Sequence, residues 1–228
     1  MSFPASDEVP NPWFSWTYVQ DNLDVLLAAG REHVFITVAS MVLAISLAIP
    51  LAIIMRHWHR SEGPILTVSG LLYTIPSLAM IAALWPVFGL SETTVIVALS
   101  LYALLIVLRN IMVGLQAVPP DTVDAARGMG MRSRSMLWRV EVPLALPAIL
   151  AGVRLATVST VGLVTIGSLV GHGGFGTLIL SGFVSNFYHA EIMTATIACV
   201  LLALIFEFAL TVLERWLTPW SQSNAVKV

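Results

Sequence analysis

The sequence predicts an all-α integral membrane protein with about five membrane-spanning helices. Of its 228 residues, 57% are hydrophobic and 11% are charged, whereas a soluble domain carries about 25% charged residues. Five stretches are apolar over about 20 residues, the length that a helix needs to cross a bilayer. One long polar segment separates the third stretch from the fourth. A chain of this length forms one membrane domain and leaves no room for a second globular one.

The five predicted spans lie at residues 33–55, 64–88, 93–112, 145–170 and 192–216. Pro76 and Pro86 interrupt the second span, so neighbouring helices or a cavity must satisfy the backbone groups that they leave free. A further apolar piece at residues 178–184 is too short to cross.

The N-terminal residues 1–32 are predicted to form an extracytoplasmic tail. Residues 1–12 contain three prolines and look disordered. Residues 13–29 fit a helix that lies on the membrane surface and ends at Gly30, because Trp and Tyr favour the membrane–water interface and glycine often ends helices. An ordered tail without a role is the alternative.

The basic residues predict the orientation. With five spans, one side of the membrane receives Arg56, Arg60, the arginines from Arg109 to Arg139, Arg215 and Lys227, and the other side receives only Arg31. Cytoplasmic loops carry an excess of Lys and Arg. The N-terminus is therefore predicted outside. The membrane domain, residues 33–216, then has its polar segment 116–144 in the cytoplasm, followed by a cytoplasmic tail at 217–228.

The polar segment contains signals for two short helices. Pro119 and Pro120 end the preceding span, and Asp121 is a good N-cap residue for a helix over residues 122–129. Gly130 suits the C′ position that terminates it. A second short helix fits residues 133–139, ended by Pro143. Two short helices joined at a glycine form a compact knob that a soluble partner could contact; an ordinary solvated loop is the alternative.

Several motifs that resemble catalytic or binding signatures do not support such chemistry. The chain has one lysine, Lys227, close to the end of the sequence. A phosphate-binding G-x-x-x-x-G-K-[ST] loop is therefore excluded. Gly171, Gly173 and Gly176 imitate a dinucleotide fingerprint, but a membrane span precedes them instead of a strand. We interpret them as a flexible external turn that lets the backbone approach another subunit.

Metal, nucleic-acid and enzymatic functions are likewise disfavoured. His57 and His59 lack a third ligand, and Cys199 is a single cysteine in an apolar run. The net charge of −2 gives no indication of nucleic-acid binding. No convergent set of His, Asp, Ser or Cys points to catalysis, so we expect no enzyme and no bound cofactor or metal in this chain.

Three ionisable residues lie within the predicted spans. Glu207 is an acid of the fifth span, and intramembrane acids are usually functional. Reaching the interface or pairing with an arginine such as Arg154 is an equally good explanation. For Arg109 and Arg154 we favour snorkelling towards the cytoplasmic interface.

The polar segment resembles the EAA loop of ABC-importer permeases. Asp124-Ala125-Ala126, three residues, Gly130, nine residues and then the run 140–143, VEVP, match the family pattern E-A-A, three residues, G, nine residues, I-x-L-P. Aspartate replaces glutamate, and valines replace isoleucine and leucine. In that family the loop forms a coupling helix in a groove of the cytoplasmic ATPase. The resemblance implies that this contact is made here by Asp124, Ala125, Ala126, Gly130 and the nearby Arg132.

Four longer stretches and one glycine run are similar to permeases of osmoprotectant importers, which carry glycine betaine, choline, carnitine or proline. They are YTIPSLAM (73–80), LYALLIVLRNIMVGL (101–115), DAARGMGM (124–131), PAILAGVRLATVSTVG (147–162) and GHGGFG (171–176). The resemblance covers most of residues 73–213 and leaves residues 1–32 uncovered.

This resemblance implies the type I ABC importer permease fold in the cytoplasmic membrane of a prokaryote. It also implies three kinds of protein partner: a cytoplasmic ATPase dimer that binds ATP and magnesium, a second permease copy or paralogue, and an extracytoplasmic solute-binding protein. An ATP-independent transporter or channel is the alternative; it would need no ATPase, and its 121–140 segment would tolerate change.

Candidate residues for a solute path combine proline, small residues and an aromatic in the second and fourth spans. They are Tyr73, Pro76, Ser77, Ser159 and Thr160. Small residues let helices pack closely and slide, and an aromatic face attracts a quaternary ammonium group. Ordinary helix packing explains the same residues equally well.

Overall fold

The structure is a computed structural model that describes residues 11–220. Two stretches lie outside this described range: residues 1–10, which include most of the predicted disordered start, and residues 221–228, which include Lys227. Within it, every regular element is a helix. The predicted all-α class is therefore confirmed for the described part of the chain.

Two helices form the N-terminal part: α1 (Trp16–Asp21) and α2 (Leu23–His57). The Ser15 hydroxyl caps α1 by accepting the N–H of Tyr18 at 3.2 Å. The prediction that a surface helix ends at Gly30 is wrong, because α2 runs through this residue without a break. Gly30 instead allows close packing, since a Cβ there would lie 3.2 Å from the ring of Phe175.

The second predicted span is a bent pair of helices, α3 (Glu62–Thr74) and α4 (Ser77–Phe88), whose axes differ by 100°. Pro76 takes an extended conformation at the bend, which confirms the predicted interruption there. The carbonyl that the bend frees on Ile75 accepts a hydrogen bond from the hydroxyl of Tyr102. Pro86 does not interrupt the span, because it lies inside the last turn of α4.

The central helix is α5 (Glu92–Gln116), which runs in the same direction as α2. One buried cluster joins Ile36 of α2 to Val95 and Leu99 near the start of α5. A second cluster joins Met55, near the end of α2, to Met112 near the end of α5. Since α2 and α5 are parallel, the α3–α4 pair must return the chain across the membrane, and it therefore counts as a broken span.

The polar segment forms α6 (Pro120–Gly128) and α7 (Ser133–Met136), and a π-helical turn (Leu137–Glu141) joins α7 to α8 (Val142–Val164). The prediction that Pro143 ends a helix is wrong. Pro143 lies in the first turn of α8 and the helix continues past it; its missing N–H coincides with the π turn that immediately precedes α8. In the wider π turn, the N–H of Val142 bonds to the carbonyl of Leu137.

The chain is helical without a gap from Ser133 to Val170, a stretch of 38 residues that ends in a 3₁₀ helix (Thr165–Val170). Two further helices follow, α9 (Phe175–Val184) and α10 (His189–Leu217). Four helical stretches are long and apolar enough to cross a membrane, and the bent pair brings the total to five in the described residues. The predicted number of spans is confirmed, and α9 is too short to cross, as expected.

Small residues bring α5 and α8 into close contact. A Cβ at Gly114 would lie 2.9 Å from the carbonyl oxygen of Ala145. A Cβ at Gly152 would lie 2.2 Å from the Cβ of Asn110. Association of helices in lipid depends on such packing, because lipid chains are as apolar as the helices and exert no hydrophobic force between them.

We therefore expect Gly152→Val to separate α5 from α8 and to destabilise the protein by about 1–3 kcal/mol, the usual effect of overpacking. Gly162→Val is the matched control on the same helix, since a Cβ at Gly162 meets no atom within 4 Å. Thermal unfolding of the detergent-purified variants measures the difference. Equal midpoints for the two variants would contradict the close packing.

Candidate functional site

Helix α6 begins two residues earlier than a cap at Asp121 would require. The carbonyl of Pro119 accepts the N–H groups of Thr122 and Val123 at 3.0 and 3.4 Å, so Pro119 is the N-cap residue and Pro120 fills the first helical position. The prediction that Asp121 caps the helix is therefore wrong. The Asp121 carboxylate lies in the first turn, where a negative charge interacts favourably with the helix dipole.

The C-terminal end of α6 has the geometry that Gly130 predicts from the sequence. Gly130 adopts a φ of +80°. The N–H of Gly130 donates to the carbonyl of Arg127 at 2.9 Å, and the N–H of Met131 donates to the carbonyl of Ala126 at 3.2 Å. These two bonds form a Schellman motif, and they confirm Gly130 as the C′ residue.

The residues that the EAA-like motif singles out lie on two faces of α6. Asp124 and Ala125 are exposed, as are Gly130 and Arg132 in the connection that follows. Ala126 is only 2% exposed and packs towards the protein. The small side chain of Ala126 therefore lets α6 lie close to α7 and the π turn that lead into α8, and the exposed residues are left for contact with another molecule.

Helix α6 presents both charge and a large apolar side chain to its surroundings. Arg127 donates to Asp124 at 3.2 Å, but both side chains are exposed, so the pair adds little to stability. Met129 at the end of the helix is 73% exposed. Flexible methionine side chains are common at binding surfaces, and this one suits a partner with an apolar groove.

An ion pair with a buried carboxylate joins the polar segment to α2. Arg56, at the end of α2, donates from Nη2 and Nε to the two carboxylate oxygens of Glu141 at 2.7 and 2.8 Å. The Glu141 side chain is only 3% exposed. Removing Arg56 would leave the buried Glu141 carboxylate uncompensated and would cost up to about 3–5 kcal/mol. Removing Glu141 would cost less, because the Arg56 side chain is 38% exposed and water screens its charge.

No sequence pattern indicates this pair, because 85 residues separate its members. Glu141 occupies the unspecified position of the I-x-L-P part of the motif, so the motif does not draw attention to it. An acid at that position, close to a span and among arginines, was the only available signal.

His33 of α2 connects three helices at the opposite end of the molecule. This residue is fully buried. Its Nδ1 accepts the N–H of Phe175 at 3.3 Å, so its Nε2 carries the proton and donates to the carbonyl of Val161 at 2.9 Å. The neutral ring therefore connects α2, α8 and α9. Sequence reasoning missed it, since a single histidine in an apolar run carries no motif.

The glycine run at residues 171–176 packs against the same chain. A Cβ at Gly173 would lie 2.3 Å from the N atom of Ser168, and one at Gly176 would lie 2.3 Å from the carbonyl oxygen of Thr165. Gly174 likewise approaches His33, with 2.6 Å between a built Cβ and the His33 Cβ. Gly173, Gly174 and Gly176 permit close packing within the chain, whereas a Cβ at Gly171 would meet no atom within 4 Å. That the run also lets the backbone approach another subunit stays a prediction.

Charged residues of α8 and α10 pair with one another. Arg154 lies 3.4 Å from Glu207 and 3.6 Å from Glu214, and it donates to the hydroxyl of Thr211 at 2.9 Å. The suggested pairing of Glu207 with Arg154 is confirmed. Arg109 is exposed on the surface of α5.

The five candidate path residues fall into two groups. Tyr73, Pro76 and Ser77 lie at the bend between α3 and α4, where the ring of Tyr73 packs edge-on against Tyr102. Ser159 and Thr160 lie on α8, and the hydroxyl of Thr160 is buried against the sulfur of Met41 on α2. Their role in a path therefore stays a prediction. Among the described residues, no group of three or more His, Cys, Asp or Glu side chains could hold a metal ion.

Comparison with known proteins identifies the family. Residues 34–222 match the model of the family described as binding-protein-dependent transport system inner membrane component. This match covers the polar segment and all the membrane spans except the first eleven residues of α2.

Curated relatives are similar over nearly their whole length. The carnitine transport permease protein OpuCB of Listeria monocytogenes is 36% identical over 204 residues, 89% of this chain and 93% of the relative. The glycine betaine/carnitine/choline transport system permease protein OpuCB of Bacillus subtilis (strain 168) is 34% identical with the same coverage. The osmoprotectant import permease protein OsmW of Salmonella typhimurium is 35% identical over 207 residues, 89% of this chain and 96% of the relative.

Solved structures share the fold at lower identity. An inward-facing structure of the MetNI methionine ABC transporter superposes with a TM-score of 0.79 at 19% identity, covering 87% of this chain and 99% of the solved chain. An amino acid ABC transporter with histidines gives a TM-score of 0.73 at 20% identity, covering 88% and 98%. These neighbours confirm the predicted type I ABC importer fold, and with the family match they show that this chain belongs to the inner membrane components of binding-protein-dependent transport systems.

Proposed function

We propose that this permease moves an osmoprotectant such as glycine betaine, choline, carnitine or proline, and that α6 is its contact with a cytoplasmic ATPase. The solute class rests on the relatives, at 34–36% identity over 89% of the chain, whose names specify carnitine, choline or glycine betaine. The contact rests on one structural observation: a glycine-capped helix stands exposed at one end of the spans, and the π turn that follows it is joined to α2 by the ion pair of Arg56 and Glu141. Family membership argues against an ATP-independent transporter.

The proposed orientation has the α6 end in the cytoplasm. Most arginines of the described residues lie at or near that end, namely Arg56, Arg60, Arg127, Arg132, Arg134, Arg139 and Arg215. Arg31 lies near the start of α2, at the opposite end. This asymmetry favours a cytoplasmic α6 and an external N-terminus.

The proposed partners follow from this orientation. A cytoplasmic ATPase dimer would bind ATP and magnesium, a second permease copy or paralogue would complete the path, and an extracytoplasmic binding protein would deliver the solute. The exposed residues Asp124, Ala125, Gly130 and Arg132 would touch the ATPase, and the buried Ala126 would seat α6 against α7 and the π turn.

Movement of the ATPase would reach the far end of the membrane through helices that are already connected. A displacement of α6 would act on α8 through the unbroken stretch Ser133–Val170 and on α2 through Arg56 and Glu141. At the outer end, His33 holds α2 to α8. A coupled movement of α2 and α8 needs physical connections of this kind.

The proposed path runs along the bend between α3 and α4. Tyr73, Trp85 and Phe88 expose aromatic surface there, and aromatic faces attract quaternary ammonium groups. Pro76 and Ser77 form the bend itself. Ser159 and Thr160 would join the path only after α8 moves away from α2, because Thr160 is buried between them.

We expect Gly130→Val to abolish both ATPase association and uptake without preventing membrane insertion. A left-handed conformation costs a residue with a side chain about 1–2 kcal/mol, so the end of α6 would be displaced. Gly128→Val is the control, since Gly128 lies in the helix with open space around it. Co-purification and solute uptake measure the effect, and normal uptake by the Gly130 variant would disprove the coupling role.

Reversing the ion pair tests the connection to α2. Arg56→Glu and Glu141→Arg should each lower uptake severely, because each places two like charges together at a site where Glu141 is buried. The double reversal should restore much of the loss. Solute moved per ATP hydrolysed, measured in proteoliposomes, distinguishes coupling from assembly. Single variants with unchanged ratios, or a double variant no better than either, would contradict the proposed connection.

The solute class is tested by uptake of labelled glycine betaine, choline, carnitine and proline into proteoliposomes that contain the assembled transporter. We expect ATP-dependent uptake of at least one of the four. Methionine is the control, because the MetNI likeness at 19% identity extends to the fold alone. Uptake of methionine with none of the four would exclude the proposed class and leave the coupling proposal intact.

A further inference from the structure

A half-enclosed cavity of about 460 Å³ lies where the end of α2 meets α6 and α7. Three arginines line its polar side: Arg56 from α2, Arg127 from α6 and Arg134 from α7. Ile53 and Ile54 of α2 form part of its apolar side. The cavity is therefore basic on one side and apolar on the other.

The arginines retain hydrogen-bonding capacity beyond their present contacts. Arg56 uses Nε and Nη2 for Glu141, and Arg127 uses Nη1 for Asp124. Arg134 forms no ion pair with any residue in the described range. Since a guanidinium carries five N–H donors, three guanidiniums facing two carboxylates leave one net positive charge and several free donors for an anion.

The apolar side of the cavity belongs to a membrane-spanning surface. Ile53 and Ile54 are 41% and 37% exposed on α2, and Ile49 one turn earlier is exposed as well. Trp58, which also lines the cavity, is exposed just beyond the end of α2. Tryptophan is enriched at the level of lipid headgroups. Acyl chains can reach this surface, whereas a soluble partner cannot follow α2 into the bilayer.

We propose that this cavity binds the headgroup of an anionic phospholipid. Its phosphate would accept hydrogen bonds from Arg127 and Arg134, and its acyl chains would lie along Ile53 and Ile54. Basic pockets at the membrane ends of helices have the charge and depth that such headgroups require. The lipid would then connect α2 to the polar segment at a second place beside the Arg56–Glu141 pair. The proposal depends on neither the transported solute nor the contact with an ATPase.

Lipid retention tests the site. The assembled transporter is reconstituted into vesicles of equal parts phosphatidylglycerol and phosphatidylcholine and extracted with mild detergent, and the retained lipid is identified by native mass spectrometry. We expect selective retention of phosphatidylglycerol and a several-fold loss of it in the Arg127→Gln/Arg134→Gln variant. The control, Arg60→Gln/Arg139→Gln, removes the same charge from exposed residues that do not line the cavity and should retain the lipid.

Two further arms keep the test decisive. Arg127→Lys/Arg134→Lys preserves the charge and should restore most of the retention, which excludes misfolding as the cause of the loss. Millimolar inorganic phosphate should not displace the lipid; displacement would identify a site for soluble anions instead. Equal loss of lipid in both glutamine variants would show that general surface charge, and not this cavity, retains the lipid. A native transporter that retains no phosphatidylglycerol selectively would overturn the proposal.

Discussion

Close packing of α5 between α2 and α8 is the constraint on which the other features depend. In lipid the helices gain little from hydrophobic burial against one another, so contact depends on small residues that let backbones approach. Gly114 and Gly152 provide this at the crossing of α5 and α8. Because α5 is held on several sides, the bent pair α3–α4 has a fixed support, and Tyr102 of α5 can bond the carbonyl of Ile75 that the bend frees.

The two ends of the packed helices are held by different chemistry. At the α6 end, the bidentate pair of Arg56 and Glu141 joins α2 to the π turn that leads into α8. At the opposite end, neutral His33 joins α2 to α8 and α9 through hydrogen bonds. Both connections involve α2 and the helical stretch Ser133–Val170, so these elements are suited to move together when α6 is displaced.

The polar segment illustrates which site features local sequence can predict. The glycine cap at Gly130 was predictable because a left-handed residue after a helix is a local requirement. The N-cap at Asp121 was predicted wrongly, since the helix begins at the second of two prolines and its N-cap lies two residues earlier, at Pro119. Burial of Ala126 could not be read from the motif, because the inward face of α6 depends on how α7 and the π turn pack beneath it.

By itself, the sequence determined the helical class, the number of spans, the unequal distribution of basic residues between the two ends of the spans, and the coupling-like motif. These follow from composition, segment length and short-range spacing. Only the tertiary structure decided the 100° bend, the partners of Arg56 and His33, and the packing role of the glycines at residues 173–176. Those features join residues that lie far apart in the chain, and the geometry of helix packing brings them together.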